Sequence, residues 1–94
     1  MEREWEKTPR VVRVLIGADN RAMQKGLTRL LAQLERMELV SVAEDGMEAV
    51  QMAVQLRPDV AILAVDLPVM NGLQACEFIS LGAPSVKCII LGGA

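Results

Sequence analysis

Four carboxylates, Asp19, Glu44, Asp45 and Asp66, follow apolar runs where strand tips are expected, and they have the most to offer chemistry. A hard cation such as Mg²⁺ takes oxygen ligands, and two or three converging carboxylates could hold it against a phosphate. Each has a plainer role beside that one. Asp19 or its neighbour Asn20 can cap the helix that follows, Glu44 and Asp45 suit a solvated turn, and Asp66 suits a solvated loop. Asp59 opens a strand at the opposite end of the sheet and cannot reach such a site. Histidine is absent, which excludes His-based acid–base catalysis, Ser–His and Cys–His nucleophiles and imidazole metal sites. Cys76 and Cys88 stand twelve apart and form no ligand cluster. They are expected to be free core thiols in a reducing compartment. Neither GxGxxG nor GxxxxGK[ST] occurs, and Gly92-Gly93 reads as a flexible terminus rather than a phosphate cradle.

These residues need elements to place them. Val11 to Ile16 is nearly continuous β-branched and aliphatic sequence, suited to a strand buried on both faces. Met23, Leu27, Leu30, Leu31 and Leu34 follow at helical spacing and predict one apolar helix face. Leu39 to Ala43 predicts a second strand. Met47, Val50, Met52, Val54 and Leu56 predict a second helix stopping before Pro58, its methionines filling the core. Val60 to Val65 predicts a third strand, Leu73 to about Ser80 a third helix, and Val86 to Leu91 a fourth strand. Strands alternating with helices imply βαβ crossovers, a parallel sheet and helices on both faces.

Bulk properties narrow the function. The 94 residues suit one small domain, with 52% apolar and 23% charged residues as in globular chains. A net charge of −2 makes no basic field for nucleic acid, and two aromatics, Trp5 and Phe78, make no base-stacking platform. Met1 to Arg10 reads as a disordered or extended tail with no apolar signal-peptide core. No apolar run nears the roughly 18 residues of a membrane span. A cytoplasmic location is expected.

Jointly, the motifs resemble a response-regulator receiver domain of the CheY-like kind. Val14-Leu15-Ile16-Gly17-Ala18-Asp19-Asn20, then Met23, Gly26, Leu27 and Leu30-Leu31, is similar to the opening of receivers often joined to helix-turn-helix output domains. Ala43-Glu44-Asp45-Gly46-Met47-Glu48-Ala49 resembles the second loop and helix start. Arg57-Pro58-Asp59-Val60 resembles the approach to the phosphoacceptor strand, and Pro68-Val69-Met70-Asn71-Gly72 the loop after it. Lys87 to Leu91 resembles the fourth strand, so the likeness runs over about residues 11 to 92. It implies a flavodoxin-like, doubly wound α/β fold.

The same resemblance exposes departures. The family ends its first strand with two adjacent acids; here the pair reads Ala18-Asp19. The family's phosphoacceptor falls four residues before the loop proline and six after the earlier one, and both counts reach Ala64. The family's switch Ser or Thr corresponds to Gly92, and its Lys, after a fifth strand, has no counterpart in these residues. Asp66 is the one displaced acid. Strand alternation would set it on the side of Ala64, one strand period further out. Asp19 and Asp66 are thus a remnant acidic site and weak metal candidates. Otherwise neither metal nor cofactor is expected, Mg²⁺ included.

The implied module is a phosphorylation-independent pseudo-receiver acting through protein contacts, not an enzyme. It would serve a transcriptional regulator or a localisation protein. Residues 11–94 supply four strands and three helices where the family has five and five. The fourth strand would be an apolar edge, so Val86, Cys88, Ile89, Ile90 and Leu91 are a candidate interface and a homo-oligomer is expected. Protein partners are implied, with no nucleic acid and no membrane. Two other readings remain: an active receiver phosphorylated on Asp66, and an unrelated small ligand-binding α/β domain.

Overall fold

The computed structural model describes residues 10–92. The expected tail therefore lies outside the described residues except for Arg10, as do Gly93 and Ala94. The elements run β1 (Val12–Gly17), α1 (Arg21–Gln33), β2 (Met37–Ala43), α2 (Gly46–Leu56), β3 (Val60–Ala64), α3 (Gly72–Gly82) and β4 (Lys87–Leu91). All strands pair in parallel in the order β2-β1-β3-β4. This is the flavodoxin-like doubly wound sheet with four strands and three helices.

The inner strands are apolar because both their faces are covered. Leu15, Ile16 and Leu63 are fully buried. Helices α2 and α3 pack together on one face, α2 over β1 and β2, α3 over β3 and β4. On the other face α1 lies over β1 and β2. Register assigns the strand residues to these faces. Gly17 lies against Leu63, Leu67 and Ala49 of α2. Its partner Leu63 and the pairs Leu15–Ala61, Ala61–Cys88 and Leu63–Ile90 therefore face α2 and α3. The alternate pairs Ile62–Ile89 and Ala64–Leu91 face the α1 side.

Arg13 ties the amino-terminal edge of the sheet to α2. Its backbone N–H donates to Asp59 Oδ2 at 2.8 Å, and its Nη1 donates to the carbonyls of Leu56 at 2.7 Å and Arg57 at 3.2 Å. Those carbonyls belong to the helix end and lack helical partners. Asp59 thus has a structural task at the end of the sheet remote from the strand tips.

Three expectations need correction. The predicted apolar face of α1 is not a buried face: Leu31 is buried and Leu27 half-buried, while Leu30 and Leu34 are 54% and 46% exposed and Met23 is exposed as well. Among the described residues α1 is the one helix on its side of the sheet, so only its innermost stripe meets a neighbour. In α2 the core residues are Ala49 and Ala53, both fully buried, whereas Met47 and Val54 are exposed. The helix approaches the sheet closely, and small residues fit there. Finally, the residues of the candidate interface on the fourth strand do not share one face. Val86 precedes β4 and is buried, its N–H donating to the Ala83 carbonyl. Cys88 and Ile90 point towards α3, which leaves Ile89, 49% exposed, and the half-buried Leu91 on the open face.

The α1 contacts lead to a sharp contrast between adjacent leucines. Leu31→Ala should cost about 2–5 kcal/mol, and Leu30→Ala about 0.5 kcal/mol or less. Urea unfolding of the two variants beside the parent checks both.

Candidate functional site

All four strands point the same way, so their carboxyl ends share one edge of the sheet. A doubly wound sheet presents its crevice there, at the switch point between β1 and β3. Residues 18–20, 44–45, 65–71 and 92 make that rim.

At the tip of β1, Ala18 extends the ladder: its N–H donates to the Ala43 carbonyl at 2.9 Å, and its methyl group is fully buried. Gln24 Nε2 of α1 donates to the Ala18 carbonyl. The helix cap is Asn20 rather than Asp19. Asn20 Oδ1 accepts from the N–H groups of Ala22 at 2.8 Å and Met23 at 3.2 Å. Asp19 is exposed and lines a hollow of about 300 Å³ with Arg21, Gln24, Lys25 and Glu44. Two carboxylates there share the hollow with two cations.

At the tip of β2, Asp45 is more than a solvated turn residue. Its Oδ1 caps α2 by accepting from the Glu48 N–H at 2.7 Å, and Glu48 Oε1 accepts from the Glu44 N–H at 3.1 Å. These bonds satisfy donors that a helix start leaves open.

At the tip of β3, Ala64 is 2% exposed and paired with Leu91. The strand stops there. Residues 65 and 66 form a turn, so the alternation expected to set Asp66 on the side of Ala64 does not extend to it. Asp66 stands exposed in that turn. The loop beyond is held tightly. The Pro68 carbonyl accepts from Gly46 N at 3.1 Å and from Met70 N at 2.7 Å. The second bond closes a γ-turn about Val69, whose φ is 70°. A β-branched residue in that region is strained. A Cβ on Gly46 would overlap the Met70 carbonyl, and one on Gly72 would overlap the Ala64 carbonyl. Asn71 and Gln74 then cap α3 reciprocally, at 2.8 and 3.1 Å.

Gly92, after β4, is exposed. A Cβ there would sit 3.5 Å from Val65 Cγ1, an ordinary contact. Sterics therefore do not demand glycine at this position. Among the described residues no three His, Cys, Asp or Glu side chains cluster as metal ligands.

The chain matches known proteins over most of its length. A family profile described as response regulator receiver domain covers residues 14–94. The chain belongs to the response regulator receiver family. The receiver is 44% identical over 79 residues to a protein-glutamate methylesterase/protein-glutamine glutaminase of Caldanaerobacter subterraneus subsp. tengcongensis, covering 84% of this chain and 22% of that protein. It superposes on the response regulator domain of Thermotoga maritima CheB with a TM-score of 0.84 at 34% identity, covering 88% of this chain and 61% of that one. It superposes on the receiver domain of the response regulator NarL from Mycobacterium tuberculosis with a TM-score of 0.87 at 27% identity, covering 92% and 69%. The chain spans about a fifth of the methylesterase's length. Membership of this family sets aside the reading as an unrelated small α/β domain.

One juxtaposition in this receiver was invisible in the sequence. Cys76 of α3 and Cys88 of β4 lie on the same side of the sheet, Cys88 turned towards the helix that carries Cys76. Burial first, then the Cys76 thiol, pushes the Cys88 thiol up to about 12. Their spacing of twelve signals nothing by itself; only the α3–β4 crossover turns Cys88 towards the helix of Cys76.

The strand-tip contacts separate two glycines. Gly46→Ala should destabilise the receiver by about 1–3 kcal/mol, because the β3–α3 loop must shift. Gly92→Ala should stay within about 0.5 kcal/mol of the parent. Urea midpoints of both variants provide the check.

Proposed function

We propose that this receiver works without phosphorylation, as a protein-contact module in a two-component-type pathway of the cytoplasm. The observation that carries the reading is alanine at position 64, the place both proline counts assign to the phosphoacceptor, with its methyl buried at the strand tip. A methyl group accepts no phosphoryl group. Two further positions agree with it. Ala18 offers no oxygen ligand beside Asp19, and Gly92 offers no hydroxyl. Asp19 and Glu44 line one hollow together with Arg21 and Lys25, so two cationic side chains border it beside the two carboxylates. That donor set does not suit Mg²⁺, which favours several oxygen ligands in near-octahedral array.

Incubation with acetyl phosphate and Mg²⁺, followed by intact-mass measurement, tests the proposal. The expected mass is unchanged. A gain of one phosphoryl group that disappears in Asp66→Ala would reinstate the active reading, with the exposed turn carboxylate as acceptor.

Output then runs through protein surfaces. On this reading the segment is itself not an enzyme, and a regulator or localisation protein built on it would act through attached domains or partners. Its charge and lack of aromatic platforms argue against direct nucleic-acid binding. No helix among the described residues is long and apolar enough to cross a membrane. Among the described residues β4 is an edge strand, and Ile62, Ile89 and Leu91 lie on the sheet face away from α2 and α3. Apolar edges recruit further strands. The polypeptide of 94 residues should therefore self-associate there. Light scattering should show a mass that rises with concentration and falls back in Ile89→Lys; a monomer mass at every concentration counts against it.

A further inference from the structure

Helix α1 carries three cations, Arg21, Lys25 and Arg29, and no acidic residue, although the whole chain has a net charge of −2. Spaced four apart, the cations share one stripe of the helix, and all three are exposed. Arg21 is the first residue of the helix, where the macrodipole disfavours a cation. Residues that break a local rule without a local gain mark places where function is to be sought. The stripe runs along strand β2. Lys25 and Arg29 line a hollow of about 370 Å³ with Thr28 and Val42, and it adjoins the hollow of Asp19, Arg21 and Glu44 through the shared Gln24 and Lys25. Val42 pairs with Ile16 and so faces α1. The uncharged polar groups between the cations are already engaged. Thr28 Oγ1 donates to the Gln24 carbonyl at 2.7 Å, and Gln24 Nε2 donates to the Ala18 carbonyl. The cations are left for a ligand, and among the described residues no carboxylate lines the hollow of Lys25 and Arg29. Among the described residues β2 is also an edge strand, so its outer N–H and C=O groups are open to a further strand.

We propose that the flank formed by α1 and edge strand β2 binds an extended acidic peptide segment whose carboxylates stand at alternate positions. Addition of a strand to a sheet edge is a general mode of peptide recognition, in which main-chain bonds give affinity and alternate side chains give specificity. The spacings agree. Cations four residues apart on a helix are separated along its axis by about 6 Å, and alternate residues of a strand by about 6.7 Å. The helix of a βαβ unit runs back along its strands, so stripe and edge extend side by side. Every second side chain of an added strand then rises on the α1 side, beside Lys25 and Arg29, with Val42 as an apolar floor. Asp19 and Glu44 border the Arg21 end and repel an acid there, so charge recognition rests on Lys25 and Arg29. The β2 edge lies opposite the β4 edge in the sheet, and the two contacts do not compete. This partner class deepens the protein-contact reading and rests on it.

The experiment titrates a fluorescently labelled peptide, glutamate alternating with threonine, with the full chain at low salt and follows anisotropy. Saturable binding is expected, and added salt should weaken it. The double variant Lys25→Glu, Arg29→Glu should lower affinity at least about tenfold, because like charges replace opposite ones. Lys87→Glu, a charge reversal on the opposite edge strand, should leave affinity within about twofold. A peptide of the same composition with its glutamates in one block should bind at least about fivefold more weakly, since its carboxylates lose the alternate spacing. Glu2, Glu4 and Glu6 alternate in the chain's own sequence, so the titration is repeated on Glu2→Gln, Glu4→Gln, Glu6→Gln to remove any competition from them. Absence of binding to both forms overturns the proposal. So does an equal loss of affinity in Lys87→Glu, equal affinity for the block peptide, or an oligonucleotide of equal charge that binds the parent as tightly. The two titrations with the alternating peptide decide the matter even if a charge-reversal variant fails to fold. Phosphoryl uptake is a separate readout: a phosphorylated chain overturns the phosphorylation-independent reading, whereas an unbound peptide overturns only this partner class.

Discussion

A parallel sheet presents apolar side chains on both faces, and each face needs cover. In this receiver the covering is unequal, and most of the structure follows from that. On one face α2 and α3 pack side by side and approach the strands closely. Ala49, Ala53, Ala61 and Ala75 are all fully buried there, small residues packed beside the equally buried Leu15, Leu63 and Ile79. On the other face α1 lies over β1 and β2 alone. Its outer leucines meet solvent, and the far strands keep Ile89 half exposed. The same alternation turns Cys88 inward against α3 and Ile89 outward, so neighbouring residues of one strand acquire different roles.

The strand-tip rim shows a second economy. Polar residues that could serve chemistry are mostly engaged in finishing helices. Asn20, Asp45 and Asn71 each accept from backbone N–H groups at a helix start. Such caps are worth about 1 kcal/mol each. The Pro68 carbonyl accepts two bonds at once and anchors the loop to α2 while Val69 holds a strained γ-turn. Strain of this kind persists only where surrounding contacts over-determine it. The tight loop is therefore built in full around a strand tip that carries alanine. Four strands and three helices of the receiver fold are in place around it.

The sequence alone determined the order and type of every element, since continuous apolar runs of four to six residues and helical spacing are local signals. It also determined the family, through motifs spread over the whole domain, and the identities Ala18, Ala64 and Gly92 at the positions the family motifs single out. Boundaries and burial were less legible. Periodicity marks which residues of α1 share a face, but not how much of that face a neighbour covers, so Leu30 and Leu34 read as core and are not. Strand alternation seemed to carry Asp66 past Ala64, yet the chain turns there because Gly72 N–H takes the Val65 carbonyl and draws the backbone away. Only the folded structure shows that Asn20 and not Asp19 caps α1, that Asp19 shares a hollow with Glu44, and that Cys88 turns towards α3. The last two depend on where a crossover returns the chain, and a crossover brings together residues whose separation in sequence carries no information about their distance in space.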